Sequence, residues 1–217
     1  MQRLAAILDM DGTLLDNNYQ HALAWHLALR RLEILVPVWK VHRAVGIGGD
    51  KIVAELVGDD AEAAHGDEAR EHESEIFESM KDDAIGVEGA SEFVETLKER
   101  GHAIALASSG SAEDIERFVD QLGIGELLDA KITSGDVDSS KPAPDLVESA
   151  LDELGTHEAV MVGDTPWDVR AAERAGIPAI CVLTGGFIAA ELRDEGAVAV
   201  YESVAELREQ LEESPLA

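Results

Sequence analysis

The sequence predicts an α/β fold: a Rossmann-like parallel sheet with helices on both faces, plus an inserted all-helical cap subdomain. Three observations predict it. Short apolar runs bounded by turn residues recur at Leu4–Leu8, Ala103–Ala107, Val160–Val162, Ala179–Leu183 and Ala197–Val200. Apolar residues at helical spacing, such as Ile115, Phe118, Val119 and Leu122, fill the intervals between the later runs. Residues 16–85 break this alternation and read as helical throughout.

Leu4–Leu8 carries no polar side chain, as a strand covered on both faces requires. The insert comes next. Tyr19–Leu32 has helical spacing, Pro37 interrupts it, Val38–Val45 resumes it, and Gly46-Ile47-Gly48-Gly49 turns the chain before Lys51–Val57. Between Asp59 and Asp83, eleven acids stand against Arg70 and Lys81, the pattern of a solvated helical face. Trp25 and Trp39 are expected in the core of the insert, and Trp167 at the rim of a site near Asp164. An insert placed after the first strand covers the carboxyl edge of the sheet, where ligands of open α/β sheets bind. The expected division is a core of residues 1–15 and 86–217 and a cap of residues 16–85. Farther on, Ala112–Leu122, Leu146–Leu154 and Val169–Ala175 are the helices that return the chain between parallel strands. Gly101, Gly123, Gly155 and Gly176 stand where left-handed helix ends belong.

A chain of 217 residues with 46% hydrophobic residues buries a sizeable core. No apolar run approaches the ~20 residues of a membrane helix. The apolar start is too short for a secretory leader, so a cytoplasmic location is expected. Cys181 is the single cysteine, which excludes an internal disulfide; its apolar context predicts a buried, inert thiol. Acids number 45 against 17 Lys and Arg, a net charge of −28. Such a surface repels nucleic acid and anionic lipid, so neither is an expected partner. It also repels itself. Salt screens that repulsion, so the balance reads either as a salt-rich, halophilic cytoplasm or simply as a very soluble acidic protein.

Asp9-Met10-Asp11-Gly12-Thr13 follows the first strand directly. Side chains two apart on extended backbone point the same way, so Asp9 and Asp11 share a side. Two carboxylates at a buried strand end are costly unless a cation lies between them, and Mg2+ takes such oxygen ligands together with substrate phosphate. Gly12 permits a sharp turn, and Thr13 offers a hydroxyl to a phosphate. Ser108 and Ser109 follow another apolar run and precede a helix, either as an anion site or as an ordinary helix cap. Lys141 lies between a Gly/Ser/Asp-rich loop and two prolines, where it is either a surface lysine or a neutraliser of phosphate and carboxylate. Asp164 ends the run Val160–Val162, with Asp168 one helical turn on; Asp164 alone reads equally as a helix cap.

Taken together, the four strings resemble the motifs of the haloacid dehalogenase-like hydrolases, specifically the branch of phosphoglycolate phosphatase and β-phosphoglucomutase. Asp9–Thr13 is similar to motif I, Ser108 to motif II, Lys141 to motif III, and Gly163-Asp164 through Asp168 to motif IV. The resemblance spans essentially the whole chain. It implies an Mg2+-dependent phosphatase acting on a small phosphorylated metabolite, of phosphoglycolate or sugar-phosphate type. Asp9 would be the nucleophile that forms an aspartyl-phosphate, and Asp11 the acid and then the base. Asp9, the Asp11 main-chain carbonyl and Asp164 would hold the metal. Ser108, Ser109, Lys141, Gly12 and Thr13 would bind phosphate, and Asp168 would support the metal shell or Lys141. Dehalogenases of the superfamily lack the second acid of motif I, so Asp11 argues against that activity. A phosphosugar mutase is the alternative, although the mutase branch carries a cap arginine and the comparable stretch here, Gly46-Ile47-Gly48-Gly49-Asp50-Lys51, has no arginine in the turn. A non-catalytic phosphate-binding relative is the alternative of another class. His21, Arg43 and Lys51 are the expected substrate-selecting residues of the cap. The expected assembly is a monomer or homodimer.

Overall fold

The computed structural model describes residues 4–217. The first strand, β1 (Ala5–Leu8), lies near the middle of a six-stranded sheet. The chain then makes a short strand β2 (Leu15–Asp16) and four helices: α1 (Asn18–Arg31), α2 (Val38–Ala44), α3 (Ile52–Val57) and α4 (Asp59–Glu78). It returns through β3 (Ile85–Gly86), which pairs antiparallel with β2. Thereafter strand and helix alternate: α5 (Ala90–Glu99), β4 (Ile104–Ala107), α6 (Ala112–Leu122), β5 (Ala130–Ile132), α7 (Asp145–Leu154), β6 (Ala159–Gly163), α8 (Pro166–Arg174), β7 (Ala179–Val182), α9 (Ala189–Glu195), β8 (Ala199–Tyr201) and α10 (Val204–Glu209).

The sheet order is β5-β4-β1-β6-β7-β8, every pairing parallel. β1 lies between β4 and β6, with Ile7 opposite both Ala105 and Met161. This register brings the carboxyl ends of three strands together, and that is where the site forms.

Alternation along each strand fills two separate cores. Ala6, Leu8, Leu106, Val160, Val162 and Ile180 point to the face covered by Phe93 and Leu97 of α5, Phe118 of α6 and Leu207 of α10. Ala5, Ile7, Ala105, Met161 and Cys181 point to the opposite face, under Val147 and Ala150 of α7, Val169 and Ala172 of α8 and Leu192 of α9. Cys181 is buried in this second core, as its apolar context predicts, and burial pushes its thiol well above the usual cysteine range.

The helical insert carries a third core of its own, around Trp25, Leu29, Val41, Ile52, Val53 and Ala69. Trp39 is not in it. The α2 residues that face the core are Val41 and Ala44; Trp39 lies on the opposite side of that short helix, 63% exposed, with the Lys40 ammonium 5.7 Å from its ring. Trp167 also departs from expectation: it packs against the core of the insert and stacks on the Arg170 guanidinium at 4.6 Å. Among the described residues, no helix is long and apolar enough to cross a membrane.

Candidate active site

The end of β1 is fixed by the sheet. Asp9 N–H donates to the Val162 carbonyl at 2.9 Å, and the Met10 carbonyl accepts from Leu14 and Leu15 as the chain turns away. Gly12 makes that turn with a φ of 72°; a Cβ there would collide with the side chains of Asn18 and Asp164. The close approach explains why Asp11 is followed by glycine.

Asp9 is buried, and its Oδ1 accepts from Lys141 Nζ at 2.5 Å. The same ammonium lies 2.7 Å from Asp168 Oδ1 and is 1% exposed. Asp168 is oriented by a reciprocal cap at the start of α8: its Oδ2 accepts from Thr165 N at 3.0 Å and Thr165 Oγ1 at 2.6 Å. Asp164 lies at the end of β6, fully buried, and accepts from Thr13 Oγ1 at 3.0 Å and Asn18 Nδ2 at 2.7 Å. Asp11 is only half-buried. Its carboxylate accepts from Asn17 Nδ2 and faces His21 Nε2 at 3.6 Å, while His21 Nδ1 lies 3.2 Å from Glu73 Oε1. The His21 ring stacks on Phe77 at 3.9 Å.

Burial sets the proton affinities. It pushes Asp9 up to about 7, against the pull of Lys141, with Asp168 and Asp11 adding to the rise. It also raises Asp164 well above the carboxylate range, with the charges of Asp168 and Asp9 contributing. Burial acts to lower the pKa of Lys141, but the charges of Asp168 and Asp9 outweigh it and hold the ammonium protonated. For Asp11, burial is opposed by the hydrogen bond and charge of His21 and by Asn17, and the net effect is a lowered pKa. His21 is the counterpart: burial pulls it down, yet its bonds to Asp11 and Glu73 raise it to about 10.

Asp9, Asp164 and Asp168 each bring a carboxylate oxygen within 4.8 Å of the others. Three buried carboxylates against the one Lys141 ammonium leave an excess of negative charge that a small divalent cation matches. Each ionised carboxylate has acceptor sites to spare beyond its present partners. The donor set therefore fits Mg2+.

A cavity of about 470 Å³ opens over this cluster, between the sheet edge and the helical insert. Asp9, Asp11, Lys141, His21 and Ser109 line it, and the Ser109 hydroxyl has no partner within the described residues. Ser108 lies just beneath, buried, its Oγ accepting from Gly110 N at 3.0 Å.

Several expected contacts fall elsewhere. Thr13 gives its hydroxyl proton to Asp164, and the Gly12 N–H is bound to the Leu15 carbonyl at 2.7 Å; neither residue lines the cavity. Arg43 pairs with Glu191 and stacks on Phe187 at 4.2 Å, outside the cavity, because α2 turns that side toward α9. Lys51 is spent on Ser139 Oγ at 2.6 Å and on the Ser140 carbonyl, which ties the insert to the loop before Lys141. In their place the insert contributes Arg70, Glu73 and Asp50 to the lining, and Asn17 and Asn18 orient the acids from below. Arg70 is one of only two Lys or Arg residues inside the acidic stretch, which is the sequence feature that singles it out. Nothing in the sequence distinguishes Glu73 from its acidic neighbours.

The family model for haloacid dehalogenase-like hydrolases matches residues 4–176. The chain is 28% identical over 176 residues to validoxylamine A 7'-phosphate phosphatase of Streptomyces hygroscopicus subsp. limoneus, covering 79% of this chain and 82% of that protein. It is 24% identical over 216 residues to phosphoglycolate phosphatase of Nitrosococcus oceani, covering 96% of each. The crystal structure of a hydrolase from Pseudomonas syringae superposes with a TM-score of 0.91 at 30% identity, covering 97% of this chain and 99% of that one. The chain belongs to the haloacid dehalogenase-like hydrolases. Within that family it is an enzyme of the phosphatase type.

Proposed function

We propose that the protein is an Mg2+-dependent phosphatase that hydrolyses a small phosphate monoester through an aspartyl-phosphate on Asp9. The observation that carries this reading is the buried Asp9–Lys141–Asp168 chain at the floor of the cavity. A carboxylate held this way presents one oxygen to Lys141 and leaves the other for attack.

The Asp9 oxygen attacks phosphorus, the P–O bond to the alcohol breaks, and a proton reaches the leaving oxygen from Asp11. Water then gives its proton to Asp11 and attacks the phosphorus of the aspartyl-phosphate. The bond to Asp9 breaks and inorganic phosphate leaves. One carboxyl serves both steps because their proton demands are opposite. Asp11 is ionised at rest, which suits the second step; the proton for the first is held by the adjacent His21. Lys141 and the hydroxyls of Ser108 and Ser109 bind phosphoryl oxygens, and Asp168 positions Lys141. Asp9, Asp164 and the main-chain carbonyl of Asp11 are the ligands assigned to the metal, whose charge lets a carboxylate approach an anionic phosphate. The helical insert, residues 16–85, acts as a cap on a core of residues 1–15 and 86–217; the β2–β3 pair closes its base. Of the cap residues, Asn17 bonds to the Asp11 carboxylate and His21 faces it at 3.6 Å.

The direct test is Asp9→Asn. Turnover of p-nitrophenyl phosphate with Mg2+ is expected to fall by about a thousandfold or more, with the circular dichroism spectrum unchanged. A well-folded Asp9→Asn enzyme that keeps its rate contradicts the assignment.

A further inference from the structure

The charges around the cavity say something about the alcohol half of the ester. Three basic side chains line the cavity among the described residues, and each is already held between two carboxylates. Lys141 lies between Asp9 and Asp168, and His21 between Asp11 and Glu73. Arg70 lies between Glu62, at 2.8 Å, and Asp67, at 2.9 Å, and its remaining reach goes to the Gly49 carbonyl at 3.1 Å. Lys51, the other nearby cation of the insert, is committed to Ser139 and Ser140 and does not face the cavity.

Beyond those three bases, Asp9 and Asp11, the other charged side chains of the wall are all acidic, Asp50, Glu73, Asp114 and Asp138, set among apolar residues and serines. With Lys141 given to the transferring phosphoryl group, a second phosphate or a carboxylate on the substrate would meet only His21 and Arg70, each already shared by two carboxylates. Its desolvation and repulsion would go uncompensated. Hydroxyl groups are donors to such carboxylates, and an ammonium is attracted by them.

Resting on the phosphatase reading above, we propose that the substrate is a phosphate monoester of a hydroxyl-rich or amine-bearing alcohol that carries no second anionic group. Sugar-type monophosphates fit this class; phosphoglycolate and sugar bisphosphates do not. The bisphosphate intermediate of a phosphosugar mutase is disfavoured for the same reason.

The experiment is a kcat/KM comparison with saturating Mg2+ on glucose 6-phosphate, glucosamine 6-phosphate, phosphoglycolate and glucose 1,6-bisphosphate, with p-nitrophenyl phosphate as reference. The two sugar monophosphates are expected to exceed the two esters with a second anionic group by about tenfold or more, glucosamine 6-phosphate at least matching glucose 6-phosphate. The double variant E62Q/D67N frees Arg70. It is expected to narrow that gap severalfold while leaving the p-nitrophenyl phosphate rate and the circular dichroism spectrum unchanged. Preference of the parent enzyme for phosphoglycolate or the bisphosphate overturns the proposal, as does an unchanged gap in a folded double variant. Loss of turnover on every ester, p-nitrophenyl phosphate included, overturns instead the phosphatase reading on which it rests. If the double variant does not fold, the ranking of the four esters by the parent enzyme decides alone.

Discussion

His21 holds a proton between two carboxylates, Asp11 and Glu73, while its ring rests on Phe77. Burial alone would lower its proton affinity; the hydrogen bonds and charges of the two acids raise it from 6.5 to about 10. The folded protein therefore binds this proton more tightly than the unfolded chain does. Its contribution to stability is complete below pH 6.5 and is lost as pH rises toward 10. The urea midpoint of the parent protein is expected to fall more steeply over that window than that of His21→Asn, and equal slopes contradict the placement of the charge. At this scale the sequence made the acids of the buried cluster legible: Asp9 follows β1 and Asp164 follows β6, with Asp168 one turn on in α8. It left open which way the side chains of the insert face. Arg43 and Lys51 have the right charge yet point at α9 and at the Ser139–Ser140 loop, while Arg70 and Glu73 line the cavity. Helix orientation is set by tertiary packing of the insert's own core, which no local string encodes. Thr13 makes the same point in small: its hydroxyl is committed to Asp164, a residue 151 positions away.

At the scale of elements, the central strands were legible because both their faces are buried and every position is apolar, as in Ala5–Leu8, Ile104–Ala107 and Ala179–Val182. The amphipathic helices Ala112–Leu122 and Asp145–Leu154 were legible for the complementary reason, a single apolar face. Among the strands, two kinds escaped. Edge strand β5 is three residues long with Lys131 exposed in its middle, so its apolar signature is absent. The β2–β3 pair at the base of the insert has two residues per strand and owes its existence to the chain's return, not to its own sequence. Trp39 shows the limit of composition: a large aromatic residue belongs to the core only if its helical phase points inward, and that of α2 does not.

Over the whole molecule, 45 acids against 17 Lys and Arg give a net charge of −28. The surface pairs, such as Lys98 with Asp129 and Arg100 with Glu212, contribute only ~0–1 kcal/mol each. They leave the excess negative charge largely unopposed, so the folded chain repels itself. Salt removes it, since the screening length falls from about 10 Å at 0.1 M to about 3 Å at 1 M. We propose that the protein is built for a salt-rich cytoplasm. The thermal midpoint is expected to rise by several degrees between low and molar KCl. A midpoint independent of KCl contradicts that reading and leaves the acidity as a matter of solubility alone.

The central claim is that phosphorus is bonded to Asp9 midway through the reaction. p-Nitrophenolate leaves without needing a proton, so Asp11→Asn spares the first step with that ester and removes the base of the second. Rapid mixing of the Asp11→Asn enzyme with p-nitrophenyl phosphate and Mg2+ is expected to release one equivalent of p-nitrophenolate in a burst. Acid quenching is then expected to leave the phosphoryl group on the peptide that contains Asp9. The absence of a burst, or a phosphoryl group found on any other residue, contradicts the mechanism.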